Sequence, residues 1–185
     1  NKESVESPSV AAVDFTSANR TKWQEPDFWR KLCPELAIDA NKSLAAIPEV
    51  DEDTAFLHKD RRGRLADRGY ALVDEPVADA STIEAMRKGV ETLHKLGLPA
   101  SFILLFDDTW ELAAKSRSVL EKSTLGTNKF QFDIVAFYID SGGFSPHRDR
   151  QPEDVAASFE KDEAKFATQW IALTDATPEN SCLYV

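Results

Sequence analysis

His147 and Asp149, separated by Arg148 alone, are the residues of this chain best suited to metal chemistry. An imidazole nitrogen and a carboxylate oxygen are two of the three donors in a 2-His-1-carboxylate facial set. That set holds one face of Fe(II) and leaves the opposite face open for a chelating cosubstrate and oxygen. On an extended segment, residues i and i+2 point to the same side, so both could meet one ion while Arg148 turns away. The short pattern alone is common, and surface hydrogen bonding or a local salt bridge is its ordinary meaning.

The surroundings place the pair at a strand mouth, which favours the metal reading. Phe130 to Ile139 is rich in aromatic and β-branched residues and predicts a strand. Asp140-Ser141-Gly142-Gly143 follows as a turn signal, and Pro146 biases Ser145 away from helical geometry as the chain enters the pair. Beyond it, residues 151–165 are polar and acidic, suited to a short helix, a lid or a surface excursion. Ala167 to Leu173 resumes strand character, 174–181 reads as a turn, and Cys182 to Val185 begins another strand.

The upstream half is read as mainly helical. Residues 1–20 are polar and small, predicting a flexible or surface-wrapping arm. Trp23, Phe28, Trp29, Leu32 and Leu36 form a helical apolar stripe around Pro26, read as a packing anchor. The run 51–69 predicts a helix ended by Gly69, whose Lys59, Arg61, Arg62, Arg64 and Arg68 are read as a solvated face, and residues 70–74 predict a short strand. Asp79 opens a helix through Ile83, Met86, Val90 and Leu93 to Gly97. Residues 102–106 fit a buried strand or a short helix, and another helix is expected over 107–122. The domain boundaries expected are therefore an arm at 1–20, a helical support region at 21–129, and the first part of a β core at 130–185.

Composition limits the alternatives. The 185 residues can build one domain with a substantial core, and 42% hydrophobic content fits a soluble globular fold. A formal net charge of −10 argues against a general nucleic-acid partner. No run approaches a membrane span, and the start lacks a signal region, so a cytoplasmic location is expected; since the first residue is Asn1, a removed targeting segment stays open. Cys33 and Cys182 lack zinc-like spacing and could either pair or remain buried thiols.

Gly143-Phe144-Ser145-Pro146-His147-Arg148-Asp149, followed by Thr168-Gln169-Trp170-Ile171-Ala172-Leu173-Thr174-Asp175-Ala176-Thr177-Pro178-Glu179-Asn180-Ser181-Cys182-Leu183, resembles the phytanoyl-CoA hydroxylase-like family of Fe(II)- and 2-oxoglutarate-dependent dioxygenases. The second stretch is similar to the family's Trp-x-Ala-Leu-x-Asp-Ala-x-Pro-Glu-Asn-Gly-x-Leu pattern, with Ser181 in place of its glycine. The resemblance is clear over roughly 130–185 and weaker at Gly69-Tyr70 and the helix after it.

The resemblance implies a mainly β fold with an α-helical N-terminal region. Its core would be a double-stranded β-helix, the jelly roll of cupin-like proteins, incomplete in this chain and completed by residues or a chain beyond Val185. It implies His147 and Asp149 as catalytic metal ligands, with a histidine and a basic residue further on completing the site. His58 and His94 are poor candidates for that third ligand, being in helical or helix-flanking contexts.

The same resemblance implies Fe(II) as the metal, with 2-oxoglutarate and O2 as cosubstrates. Trp170, Thr168 and Tyr138 become cofactor-side candidates, and Phe137 and Trp170 substrate-side candidates. For Trp170 and Tyr138, an ordinary buried aromatic remains the alternative. The implied reaction hydroxylates or otherwise oxidises a small organic substrate, in a biosynthetic setting, while 2-oxoglutarate becomes succinate and carbon dioxide. The competing reading is a noncatalytic jelly-roll interaction or regulatory protein, and a divalent-metal hydrolase stands further behind because no catalytic base stands out.

Overall fold

The computed structural model describes residues 21–39, 55–74, 76–123, 134–139, 144–147, 149, 159–160, 163–164, 166–180 and 182–183. The expected arm at 1–20, the start of the aromatic run at 130–133, the turn at 140–143, Arg148, Arg150, most of the 151–165 excursion and Ser181 lie outside the described residues. So does the side chain of His58.

A 3₁₀ turn at Lys22–Gln24 leads into α1, Pro26–Leu32. Proline suits the first helical turn, where its missing N–H would have had no partner. Trp29 is buried, stacks on Phe102 at 5.3 Å between ring centroids, and donates its indole N–H to the Trp23 carbonyl. α2 spans Ala55–Arg68 and stops at Gly69, whose positive φ of 78° is the left-handed conformation that ends helices.

α3, Ala80–Lys95, is the central helix of the core. Asp79 caps it by accepting the Thr82 backbone N–H at 2.8 Å. Met86, Val90 and Leu93 recur at helical spacing and are buried, as is Gly89 among them. Its end is closed by Gly97 at φ 74°: the Gly97 N–H reaches the His94 carbonyl and the Leu98 N–H reaches that of Leu93. These two bonds form a Schellman motif, and the buried Leu93 and Leu98 supply its usual apolar accompaniment.

A 3₁₀ segment, Ala100–Leu105, then turns the chain into α4, Asp107–Ser123. Thr109 and Trp110 of α4 donate side-chain hydrogen bonds back to the carbonyls of Ile103 and Leu104. Asp107 and Asp108 accept the backbone N–H groups of Asp39 and Ala37, so the start of α4 fastens the segment after α1. The core gathers Trp29, Leu36, Met86, Leu93, Ile103 and Phe106 around α3.

This architecture overturns the expected mainly β fold with a double-stranded β-helix core. About 50% of the described structure is helical, and the strand content is nearly nil. The single ladder pairs β1, Phe159–Glu160, with β2, Glu163–Ala164, in antiparallel register. Among the described residues, 70–74, 134–139 and 166–173 belong to no ladder, contrary to the strands predicted there. A strand exists only with a hydrogen-bonding neighbour, and residue preference alone does not supply one. The segments instead lean on the helices: Ala136, Ile171 and Leu173 pack against the helical core. Among the described residues, no helix is long and apolar enough to cross a membrane.

Candidate metal centre

The chain approaches the pair through Phe144, Ser145 and Pro146, and both His147 and Asp149 are solvent-exposed. His147 Nε2 lies 3.5 Å from Asp149 Oδ1, so the two side chains do face one point. At metal bonds of about 2.1 Å, neighbouring donors of an octahedral ion stand about 3.0 Å apart. A small side-chain rotation covers the difference.

The outer atom of each side chain already has a partner. His147 Nδ1 is 2.8 Å from the Ser145 carbonyl oxygen, which can only accept. Nδ1 therefore carries a proton, and in the neutral ring Nε2 keeps the lone pair that a metal needs. The Thr168 hydroxyl donates to Asp149 Oδ2 at 2.5 Å, leaving Oδ1 on the side of His147. Donor types and orientation thus suit a divalent metal ion. Among the described residues, no group of three His, Cys, Asp or Glu side chains is gathered at one point, so a third protein donor is not among them.

Residues 166–174 deliver Thr168 by a period of two. Gln169, Ile171 and Leu173 are half-buried, whereas Thr168, Trp170 and Ala172 are exposed, putting Thr168 and Trp170 on one face as the strand reading expected. Trp170 is 47% exposed. The turn that follows is closed by Asn180, whose side-chain oxygen accepts the Thr177 N–H while its amide donates to the Asp175 carbonyl.

Residues 134–139 approach from another side. Phe137 meets Phe144 edge-on, with 4.8 Å between centroids, and Phe144 meets His147 at 6.3 Å. Phe137 and Phe144 form an exposed apolar seam leading to the imidazole. Tyr138 is placed differently: its ring stacks on His94 of α3 at 3.8 Å, while the Ser101 hydroxyl donates to the neighbouring Ala136 carbonyl. The structure therefore groups His147, Asp149, Thr168 and Phe137, and sets Tyr138 against the helical core.

The family model described as phytanoyl-CoA dioxygenase (PhyH) matches residues 52–185. The chain belongs to the phytanoyl-CoA dioxygenase family. Searches of curated proteins and of solved structures each returned no significant match. Phytanoyl-CoA dioxygenases are generally Fe(II)- and 2-oxoglutarate-dependent. The match begins well before the clearest resemblance, so it takes in α2, α3 and α4 as well as the His147 region.

Two neighbours of the His147–Asp149 pair, and the ring partner of Tyr138, escaped the sequence reading. Phe144 was read only as part of a motif, although an aromatic three residues before the histidine was a usable signal. The Ser145 carbonyl has none, because backbone acceptors leave no trace in residue type. His94, 44 residues from Tyr138 in sequence, likewise offers no local hint of its stacking. A surface hollow of about 420 Å³ lies elsewhere, lined by Glu35, Ser81, Thr82, Glu84, Lys88 and Asp108, and shares no residue with the His147 group.

Proposed function

We propose that this chain is an Fe(II)- and 2-oxoglutarate-dependent oxygenase acting on a small organic molecule, with His147 Nε2 and Asp149 Oδ1 as two of its metal ligands. The observation that carries the reading is the 3.5 Å approach of these two atoms within a chain of the phytanoyl-CoA dioxygenase family. The third protein donor and the basic residue for the cosubstrate come from outside the described residues. When bound, iron would use 2-oxoglutarate to activate O2 for attack on an unactivated C–H bond, one oxygen atom going to succinate and the other to the substrate, with carbon dioxide released.

The chain's own residues bind and orient. The Ser145 carbonyl fixes the imidazole tautomer and the ring plane of His147. Trp170, on the same face as Thr168, is the cosubstrate-side wall. Phe137 and Phe144 form the substrate-side wall, whose edge-on rings present apolar surface and no hydrogen-bonding group. That wall favours a substrate with an apolar portion near the oxidised carbon. The reading makes no use of Tyr138.

Succinate formation from 2-oxoglutarate, measured with Fe(II) and a panel of apolar small molecules, tests the proposal. Metal- and 2-oxoglutarate-dependent succinate that disappears in His147→Ala supports it. Folded protein that binds neither Fe(II) nor 2-oxoglutarate would leave the noncatalytic interaction protein as the better reading.

A further inference from the structure

We infer that Thr168 is a positioning residue that acts on the metal through Asp149, rather than a residue that touches the cosubstrate. This rests on the proposed metal role of His147 and Asp149 and adds a selection of one carboxylate oxygen. The Thr168 hydroxyl is 2.5 Å from Asp149 Oδ2, across 19 residues of sequence, while Oδ1 is the oxygen 3.5 Å from His147 Nε2. A hydroxyl has one proton to donate, and a carboxylate oxygen already accepting that proton is a poorer metal donor than its free twin. The bond therefore makes Asp149 a one-oxygen ligand and stops the carboxylate from rotating away from the imidazole.

The histidine is set in the same manner from the opposite end. Its Nδ1 is held by the Ser145 carbonyl at 2.8 Å, and only Nε2 faces the aspartate. Each ligand thus has its outer atom fixed and its inner atom directed to a shared point before any ion arrives. Asp149 and Thr168 are both exposed, so water competes for their hydrogen-bonding groups, and the bond needs backbone support to persist. That support comes from Ile171 and Leu173, which anchor the extended segment bearing Thr168 on the helical core.

The test is a titration of the complete protein, third metal donor included, with Mn(II), an oxygen-insensitive stand-in for Fe(II), followed by paramagnetic resonance of the free ion. It is run on wild type, Thr168→Val and Thr168→Ser, and repeated for 2-oxoglutarate at saturating Mn(II). Loss of an outer partner to a ligand weakens metal binding about 10- to 100-fold. Thr168→Val is expected to raise the Mn(II) Kd by that factor, Thr168→Ser to restore it to within about threefold, and neither to change 2-oxoglutarate affinity at saturating metal. Equal Mn(II) affinity in wild type and Thr168→Val would overturn the inference while leaving the metal site standing. A selective loss of 2-oxoglutarate affinity would overturn it in favour of direct cosubstrate contact. Failure of Thr168→Ser to rescue would overturn it, because the hydroxyl would then not suffice to hold the carboxylate. Absence of Mn(II) binding by wild type would overturn the metal reading, and this inference with it.

Discussion

Replacing Gly89 with alanine should destabilise the protein, although alanine is the better helix former. Gly89 lies inside α3, and a Cβ there would stand 2.6 Å from Leu36 Cδ1 and 2.7 Å from Ile103 Cδ1. Carbon atoms pack at about 3.5–4.0 Å, so both side chains would have to retreat by about 1 Å. Both contacts are side-chain methyls, but both side chains are buried in the core and have no open space to swing into, and their backbones are held as well. The Leu36 N–H bonds the Cys33 carbonyl, and the Ala37 N–H is held by Asp108. The Ile103 carbonyl accepts from Thr109 Oγ1 and from the Phe106 N–H. Overpacking of this kind costs about 2 kcal/mol, against about 1 kcal/mol gained from helix propensity, for a net loss of about 1 kcal/mol.

Gly63 supplies the control. It is an exposed position of α2 with nothing within 4 Å of an added Cβ, so Gly63→Ala should stabilise by about 0.5–1 kcal/mol. Thermal melts followed by helical circular dichroism should move in opposite directions, by about 2–4 °C per kcal/mol in a chain of this size. A Gly89→Ala melting temperature raised as much as that of Gly63→Ala would refute the close-approach argument.

The fold carries further consequences. Phe106 is fully buried, and Phe106→Ala should cost about 3–5 kcal/mol, read as a lower urea midpoint; a loss under about 1 kcal/mol would deny it a place in the core. Hydrogen bonds from Ser81 and from the Thr82 N–H hold the Asp79 carboxyl at about 2, below its ordinary 3.8. A depressed folded value means that its contribution is complete above about pH 4 and fades as pH falls toward about 2. The stability gap between wild type and Asp79→Ala should therefore narrow over that window, and a gap independent of pH would contradict the cap. Burial, assisted by the nearby Glu35 charge, pushes the Cys33 thiol up to about 11, whereas Cys182 is partly exposed. A thiol reagent should modify one cysteine quickly in the native protein and both after denaturation, and two fast equivalents would show that Cys33 is accessible.

The helices were readable where local signals agree. Asp79, the apolar spacing through Leu93, and Gly97 mark both ends and the inner face of α3, and Asp107-Asp108 mark the start of α4. Residues 102–106 were ambiguous because five consecutive apolar residues carry no period; 102–105 settle as 3₁₀ and Phe106 is extended. The strand predictions failed for a different reason. The alternation over Thr168 to Leu173 is real, with Ile171 and Leu173 inward and Thr168 and Trp170 outward, but pairing depends on a neighbour that local sequence does not name. At the site, the His147-Asp149 spacing and the shared face of Thr168 and Trp170 were legible. The Thr168 bond to Asp149 and the Phe137–Phe144 seam were not, because they join segments distant in sequence.

The most direct test of the metal assignment is an anaerobic titration of the complete protein, third metal donor included, with Fe(II) in the presence of 2-oxoglutarate, following the visible charge-transfer absorption of the chelate. Wild type should develop the band in proportion to bound iron. His147→Ala and Asp149→Ala should lose it while retaining their helical circular dichroism. A band that persists undiminished in both variants, or that never forms in folded wild-type protein, would contradict the account.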